Sequence, residues 1–366
     1  MSEVYEAGDI RATADPAAYA NTASGAPVAD DAPIEIRSLE PHEAIDLCEA
    51  IWRSYGPSYD SDWVYRPAEV AERLRRGALR SIVGISEDDE VVGHVGCTLT
   101  GGDANVGEAG QAVVDPRWRG HHLFTTLKRT LADRMRADGF AGIFSEATAA
   151  HPYSQKANVE LGAQETGILV GYIPASVDYR AIEEGPAHRR SVVVYYLKLN
   201  DGPERPIYAP PRHRGVIDAI TRRAALHGRV AVADRAGSDA TVLTEQIRSD
   251  HNAAFVSIER TGPDLAEAVG RRLEQERARR LDCVYVDLPL DDPGTQSYGD
   301  DLARLGFFFG GLFPNRRQTG DVLRLQFLND LQADVRDIQL ASDAGRDLLE
   351  YVLDEDRDGS RHGDMD

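Results

Sequence analysis

The sequence has little cysteine: Cys48, Cys97 and Cys283 are the three in 366 residues, and they lie far apart. An odd count without ligand-type spacing excludes a disulfide framework and predicts reduced core thiols in a cytoplasmic protein. Long apolar runs are missing too, and none approaches the ~20 residues needed to span a bilayer. The N-terminus lacks a basic stretch followed by an apolar one, so no signal peptide is predicted. Lysine is nearly absent. Lys128, Lys156 and Lys198 are the three, and arginine supplies the other fixed positive charges. The net charge is -20, which argues against nucleic acid or an anionic membrane as partner. Acid excess with scarce lysine fits a salt-adapted surface or GC-rich coding equally well, so it does not select a basic substrate. Hydrophobic content of 42% is enough for ordinary cores, and the length suits one large or two medium domains.

Residues 1–32 are rich in Ala, Asp, Ser and Pro without a sustained period, and are expected to form a disordered acidic tail. Thereafter the pattern becomes periodic. PIEIRSL (33–39) alternates as a strand, while EAIDLCEAIWRSYG (43–56) and PAEVAERLRRGAL (67–79) have helical spacing. LRSIVGIS (79–86) and EVVGHVGCTLT (90–100) read as a hairpin around an acidic turn, and GEAGQAVVD (107–115) as a further strand. A helix over about 120–138, a strand GIFSEAT (142–148) and a short helix YSQKANVELG (153–162) follow. Strands TGILVGYIP (166–174) and RSVVVYYLKL (190–199) close the series. This order implies a mixed sheet with one central crossover helix, an α+β or α/β layer arrangement. PERPIYAPPRHR (203–214) reads as a linker.

The second half repeats the first. LGAQETGILVGYIP (161–174) matches LGFFFGGLFP (305–314), SVVVYYLKLN (191–200) matches DVLRLQFLND (321–330), and GIFSEAT matches CVYVDLP, so that Glu146 corresponds to Asp287. The matched pairs keep their order, which predicts two copies of one fold. The expected organisation is a tail at 1–32, a first domain at 33–200, a linker at 201–214, a second domain at 215–345 and an acidic C-terminal tail at 346–366. Phe307, Phe308, Phe309 and Phe313 are expected in core and interface packing.

The junction DPRWRGHHLFTTL (115–127) is unusually polar for a strand-to-helix turn. The first N–H groups of a helix lack intrahelical partners, and with the helix dipole they attract anions. Gly120 permits close backbone approach, and Arg117 and Arg119 add positive charge suited to phosphate. The alternative is a solvated loop. His121 and His122 are adjacent, so they share no helix face, and no metal site is assigned.

These elements, with the turn VDPRWRGHHLF, make the sequence similar to the GNAT superfamily of acetyl-CoA-dependent N-acetyltransferases. The resemblance covers about 33–200, with 215–345 a degenerate copy, and implies two tandem GNAT-like domains, each a mixed twisted sheet flanked by helices. In the family the cofactor turn reads Arg/Gln-x-x-Gly-x-Gly/Ala after a strand ending in Val-x-Pro. Val114, Pro116, Arg119, Gly120, Leu123 and Leu127 fit, whereas His122 and Phe124 stand where the motif has small residues. The implied acetyl-CoA contacts are Val113, Val114, Arg119, Gly120, His121, His122, Leu123, Phe124 and Asn158. The second copy's junction SIERTGPDLAEAV places Asp264 and Glu267 at the helix start, where they would repel a phosphate.

The resemblance also implies a bulged strand before the turn, with an amide among Ala112 to Val114 that polarises the thioester. It implies a Glu base, for which Glu108 and Glu146 are candidates; a solvent-facing strand residue is the competing role for each. The family's acid is a Tyr four residues before the closing Gly162, and here that position is Asn158. His151 and Tyr153 are the nearby substitutes, each with a competing loop or packing role. The expected activity is acetyl transfer to a primary amine of a small molecule or peptide, by a monomeric pseudo-dimer or a homodimer. The rival is a non-catalytic tandem protein that binds acyl-CoA or a protein partner as a sensor or scaffold.

Overall fold

The structure is a computed structural model and describes residues 8–14, 28–29, 32–57, 59, 61–99, 105–119, 122–175, 188–202, 204–234, 237–329, 331 and 335–363. The chain divides into two compact units, and the division falls inside a strand, between Ser145 and Glu146.

The first unit begins with β1 (Ile34–Ser38), α1 (Ala44–Tyr55) and α2 (Pro67–Arg75). Strands β2 (Leu79–Ser86), β3 (Val91–Leu99) and β4 (Val106–Val114) then continue an antiparallel meander from β1. Helix α3 (Leu123–Ala137) crosses over to β5 (Gly142–Thr148), which pairs parallel with β4 from Val106↔Gly142 to Ala109↔Ser145. Leu123, Leu127, Leu131 and Met135 recur every four residues, so one stripe of α3 is buried on the sheet. Gly93 makes this possible: a Cβ there would lie 2.9 Å from both Leu123 and Leu127. Leu47, Ile51, Val64, Tyr65 and Val83 form the core on the opposite side of the strands' pattern.

Part of the expected disordered tail, residues 8–14, is ordered in this unit, while 1–7, 15–27 and 30–31 lie outside the described residues. Ile10 is buried, Arg11 bonds to Asp9 and Asp62, and its guanidinium lies 4.8 Å from the Tyr65 ring centre. An isolated apolar residue in a polar segment carries no period, which is why composition alone misjudged it.

The second unit contains the end of β5, α4 (Tyr153–Glu160), β6 (Gln164–Ile173), β7 (Arg190–Lys198), β8 (Arg205–Ile207) and α5 (Arg214–Arg223). It continues with β9 (Gly228–Val230), β10 (Val242–Arg248), β11 (Ala253–Arg260), α6 (Leu265–Ala278), β12 (Cys283–Pro289) and α7 (Pro293–Tyr298). A 3₁₀ segment, Gly299–Leu305, leads to β13 (Phe308–Phe313), β14 (Val322–Leu328) and α8 (Asp343–Gly363). β11 pairs parallel with β12, β12 antiparallel with β14, and β14 antiparallel with β13. The series β4, β5, β7, β6 has the same order of neighbours. β6 and β13 meet antiparallel at Gly167↔Gly311, where a Cβ on Gly167 would lie 2.4 Å from the Gly310 carbonyl oxygen. Phe307, Phe308, Phe309 and Phe313 are all buried, as expected of core.

Two further expectations are corrected here. The segment read as a linker contains β8, which pairs parallel with β9, and Arg205 is buried in an ion pair with Asp321. The segment read as an acidic tail, 346–366, lies in helix α8 as far as Gly363, and 364–366 fall outside the described residues. Leu348 and Val352, four apart, anchor that helix in the core while acids cover its other face.

Candidate active site

β4 does not run straight. His94 pairs with Val113 and Gly96 with Gly110, so three steps on β4 answer two on β3. The extra residue is a β-bulge. Gln111 takes it up at φ 50, in the left-handed region that side chains disfavour. Beyond the bulge the Asp115 N–H donates to the Val92 carbonyl at 2.9 Å. Antiparallel alternation then turns the Val113 amide toward β3 and the Val114 amide to the opposite edge.

The strand ends at Asp115, whose carboxylate accepts from the Arg117 amide and guanidinium at 2.7–2.9 Å. Burial opposes ionisation of Asp115, but these bonds hold its carboxyl below the ordinary value. Glu90 takes a further bond from Arg117 at 2.9 Å. The charge expected of Arg117 at the turn is therefore spent on two carboxylates. Arg119 is exposed with extended backbone. Gly120 and His121 fall outside the described residues.

His122 is exposed and caps α3 in a left-handed conformation, φ 56 and ψ 13, without a side-chain capping bond. The position where the family motif has glycine thus keeps the backbone shape that glycine would take. Phe124 is half-buried and its ring centre lies 5.4 Å from the Lys128 ammonium, one turn along the helix. Leu123 is buried. The first turn of α3 contains no acid. The corresponding helix α6 has Glu267 in its first turn and Asp264 at its cap, where the Asp264 carboxylate accepts the Thr241 amide at 2.7 Å. An anion is favoured at the start of α3 and disfavoured at the start of α6.

Glu108 is half-buried on β4 before the bulge, between Thr98 of β3 and Phe144 of β5. Lys128 was not anticipated at all. It is buried, its Nζ lies 3.3 Å from Ser145 Oγ, and burial lowers its pKa to about 8. Ser145 is half of the last β4–β5 pair.

The other candidates belong to the second unit. Glu146 is half-buried on β5. His151 is half-buried and Tyr153 is 69% exposed, with ring centres 5.0 Å apart. Asn158 is buried, and its carbonyl accepts the amides of Leu161 and Ala163 to close α4. The organiser of this segment is Gln155, which the sequence did not flag. Its Nε2 donates to the carbonyls of Thr148, His151 and Gln339, and its Oε1 accepts from the Ala341 amide. Among the described residues no cluster of three or more His, Cys, Asp or Glu side chains could hold a metal.

Residues 44–163 match the family model described as the acetyltransferase (GNAT) family. No curated protein matches the chain. Solved structures similar to it include an N-acetyltransferase from Staphylococcus aureus, at 16% identity and TM-score 0.37, covering 46% of this chain and 99% of that one. Another is a phosphinothricin acetyltransferase from Sinorhizobium meliloti in complex with AcCoA, at 18% and 0.36, covering 46% and 90%. A third is the ribosomal-protein-S18-alanine N-acetyltransferase from Escherichia coli, at 15% and 0.37, covering 47% and 97%. The bulged β4 and the acid-free start of α3 both lie inside segment 44–163, the part of the chain that is similar to the acetyltransferase (GNAT) family.

Proposed function

We propose that the protein is an N-acetyltransferase that moves the acetyl group of acetyl-CoA directly to a primary amine. The observation that carries this reading is the Gln111 bulge and outward Val114 amide of β4, followed in sequence by a start of α3 that lacks a side-chain capping bond. Acetyl-CoA supplies an activated thioester when bound. The amides at the start of α3 and the exposed Arg119 would hold its pyrophosphate, helped by the helix dipole. The Val114 N–H, with Val113 fixed beside it, would meet the thioester carbonyl and favour charge developing on its oxygen. Within the same unit, Glu108 would take the proton of the amine. The acceptor is a small-molecule or peptide amine. The second copy, with Asp264 and Glu267 at the start of α6, serves as a structural partner without its own cofactor.

A second reading rests on Asn158. It stands where the family places its tyrosine acid and is buried, which favours a protein that binds acyl-CoA without turnover. The two are separated by thermal shift with acetyl-CoA alongside thiol release against a panel of amines. The enzyme reading expects both a shift and thiol release. A shift without release supports the sensor, and the absence of both shift and release overturns the cofactor site.

A further inference from the structure

Three backbone groups of the bulge in β4 are held by side chains, and the holders come from elements remote in sequence. The Gln111 N–H donates to Tyr59 Oη at 2.9 Å. The Gln111 carbonyl lies 2.6 Å from His94 Nδ1. The Ala112 carbonyl accepts from Tyr55 Oη at 2.6 Å. A bulge interrupts the ladder and leaves backbone groups without strand partners. A non-glycine residue in the left-handed region adds a steric cost. Both costs persist only where the surroundings over-determine the conformation.

His94 itself is fixed. It is fully buried on β3, and its Nε2 lies 2.6 Å from Ser81 Oγ on β2. A carbonyl can only accept, so Nδ1 carries the proton and Nε2 accepts from the Ser81 hydroxyl. Burial lowers the pKa of the imidazole to about 4, so the ring is neutral at physiological pH and this single tautomer persists. Tyr59 is fixed in turn. Its amide donates to Tyr65 Oη at 2.9 Å, and the Tyr65 hydroxyl donates to the Gly56 carbonyl at 2.6 Å. The Tyr55 and Tyr59 rings meet edge-on with centres 5.0 Å apart.

We propose that His94, Tyr55 and Tyr59 are positioning residues that lock the Gln111 bulge and so aim the amides of Val113 and Val114. Simple packing would need rings of the right volume. These three instead present one acceptor and two donors to three backbone groups of two adjacent residues, and the two tyrosines lie around the end of α1, far from β4 in sequence. The catalytic part of this proposal rests on the acetyl-transfer reading, while the clamp itself does not.

The test compares wild type with Tyr59→Phe, His94→Phe and His94→Asn in the full chain. Amide hydrogen exchange is measured first, without cofactor. Loss of one net hydrogen bond, about 1 kcal/mol, predicts roughly fivefold faster exchange at Gln111 in Tyr59→Phe. In His94→Phe it predicts faster exchange across 111–114. His94→Asn keeps an N–H near the Nδ1 position and should restore protection. Steady-state kinetics are then measured with acetyl-CoA and an accepted amine. A misaimed amide should lower kcat by about 10- to 100-fold with KM for acetyl-CoA within about twofold, and His94→Asn should recover most of it. Unchanged exchange in both Phe variants overturns the clamp. Faster exchange with kcat unchanged overturns its catalytic purpose. A wild type that turns over no amine removes the acetyl-transfer reading, and the exchange result then decides the clamp by itself. Should His94→Phe fail to fold, the isosteric Tyr59→Phe gives the same comparison.

Discussion

Arg324 and Asp287 form a forked ion pair in the second unit, with Nε to Oδ1 at 2.7 Å and Nη2 to Oδ2 at 2.8 Å. The sequence comparison expected Asp287 to correspond to Glu146, and in the structure this carboxylate is engaged by an internal partner. Three rings surround the guanidinium: Phe313 at 4.5 Å, Phe255 at 5.2 Å and Tyr285 at 5.8 Å from their centres. Burial works against the charge, but Asp287 more than compensates and holds Arg324 fully protonated. Asp287→Asn removes the main compensating charge from a buried cation and is expected to destabilise the protein by about 3–5 kcal/mol. The double variant Asp287→Leu/Arg324→Met should lose less than Asp287→Asn alone. Urea denaturation of the three proteins checks the order.

Lys128 makes stability depend on alkaline pH. Its pKa falls from 10.5 to about 8 on folding, so between those values the unfolded chain binds more protons than the native one. Stability therefore rises with pH across that window, and below about pH 8 the native state bears the whole cost, about 3 kcal/mol. Lys128→Met should gain about 1–3 kcal/mol at pH 7 and flatten the rise. Unfolding free energies at pH 7, 8, 9 and 10 test both parts.

His94 acts at the acid end. Its pKa falls from 6.5 to about 4, so acid draws protons to the unfolded chain. The stability present above pH 6.5 is lost progressively as pH falls through the folded value, by about 3 kcal/mol in total. His213, lowered to about 3 by burial and by Arg212, pulls in the same direction in the second unit. In His94→Asn the part of the acid loss due to His94 should vanish, as measured by denaturation between pH 4 and 7.

His122→Gly should relieve left-handed strain at the cap of α3. A gain of up to about 1 kcal/mol is expected, together with a larger thermal shift on adding acetyl-CoA. A smaller shift than wild type would mean that the imidazole contributes to the cofactor site rather than crowding it.

Arg119 and Arg117 should respond differently. Arg119→Ala is expected to weaken acetyl-CoA binding about tenfold, as loss of a charged phosphate contact does. Arg117→Ala frees Asp115, which is buried, and should cost stability with much less effect on affinity. Calorimetric titration and thermal melting of both variants distinguish these outcomes.

The strands, the crossover helix and the polar turn were legible because each carries its own period or break in period. The site's supports were not. Nothing local in GEAGQAVV marks Gln111 as a bulge, because the partners that hold it, Tyr55, Tyr59 and His94, are set by register and tertiary approach. Arg117 looked like a phosphate ligand because its carboxylate partners lie two and twenty-seven residues back. Helix α8 was hidden by its acids, since four-residue spacing of Leu348 and Val352 is easily lost among charged neighbours. Gln155 was overlooked because its four backbone partners come from chain segments up to 186 residues distant.

The three scarce cysteines give the molecule a built-in clock. Each is buried, and burial raises each thiol's pKa. Cys48 and Cys97 lie in the first unit and Cys283 in the second. An alkylating reagent in native buffer can therefore label the chain only when one of the units opens, and the labelled cysteine says which. With acetyl-CoA added, slower labelling at Cys48 and Cys97 and an unchanged rate at Cys283 would assign the ligand to one half of the chain without any engineered probe.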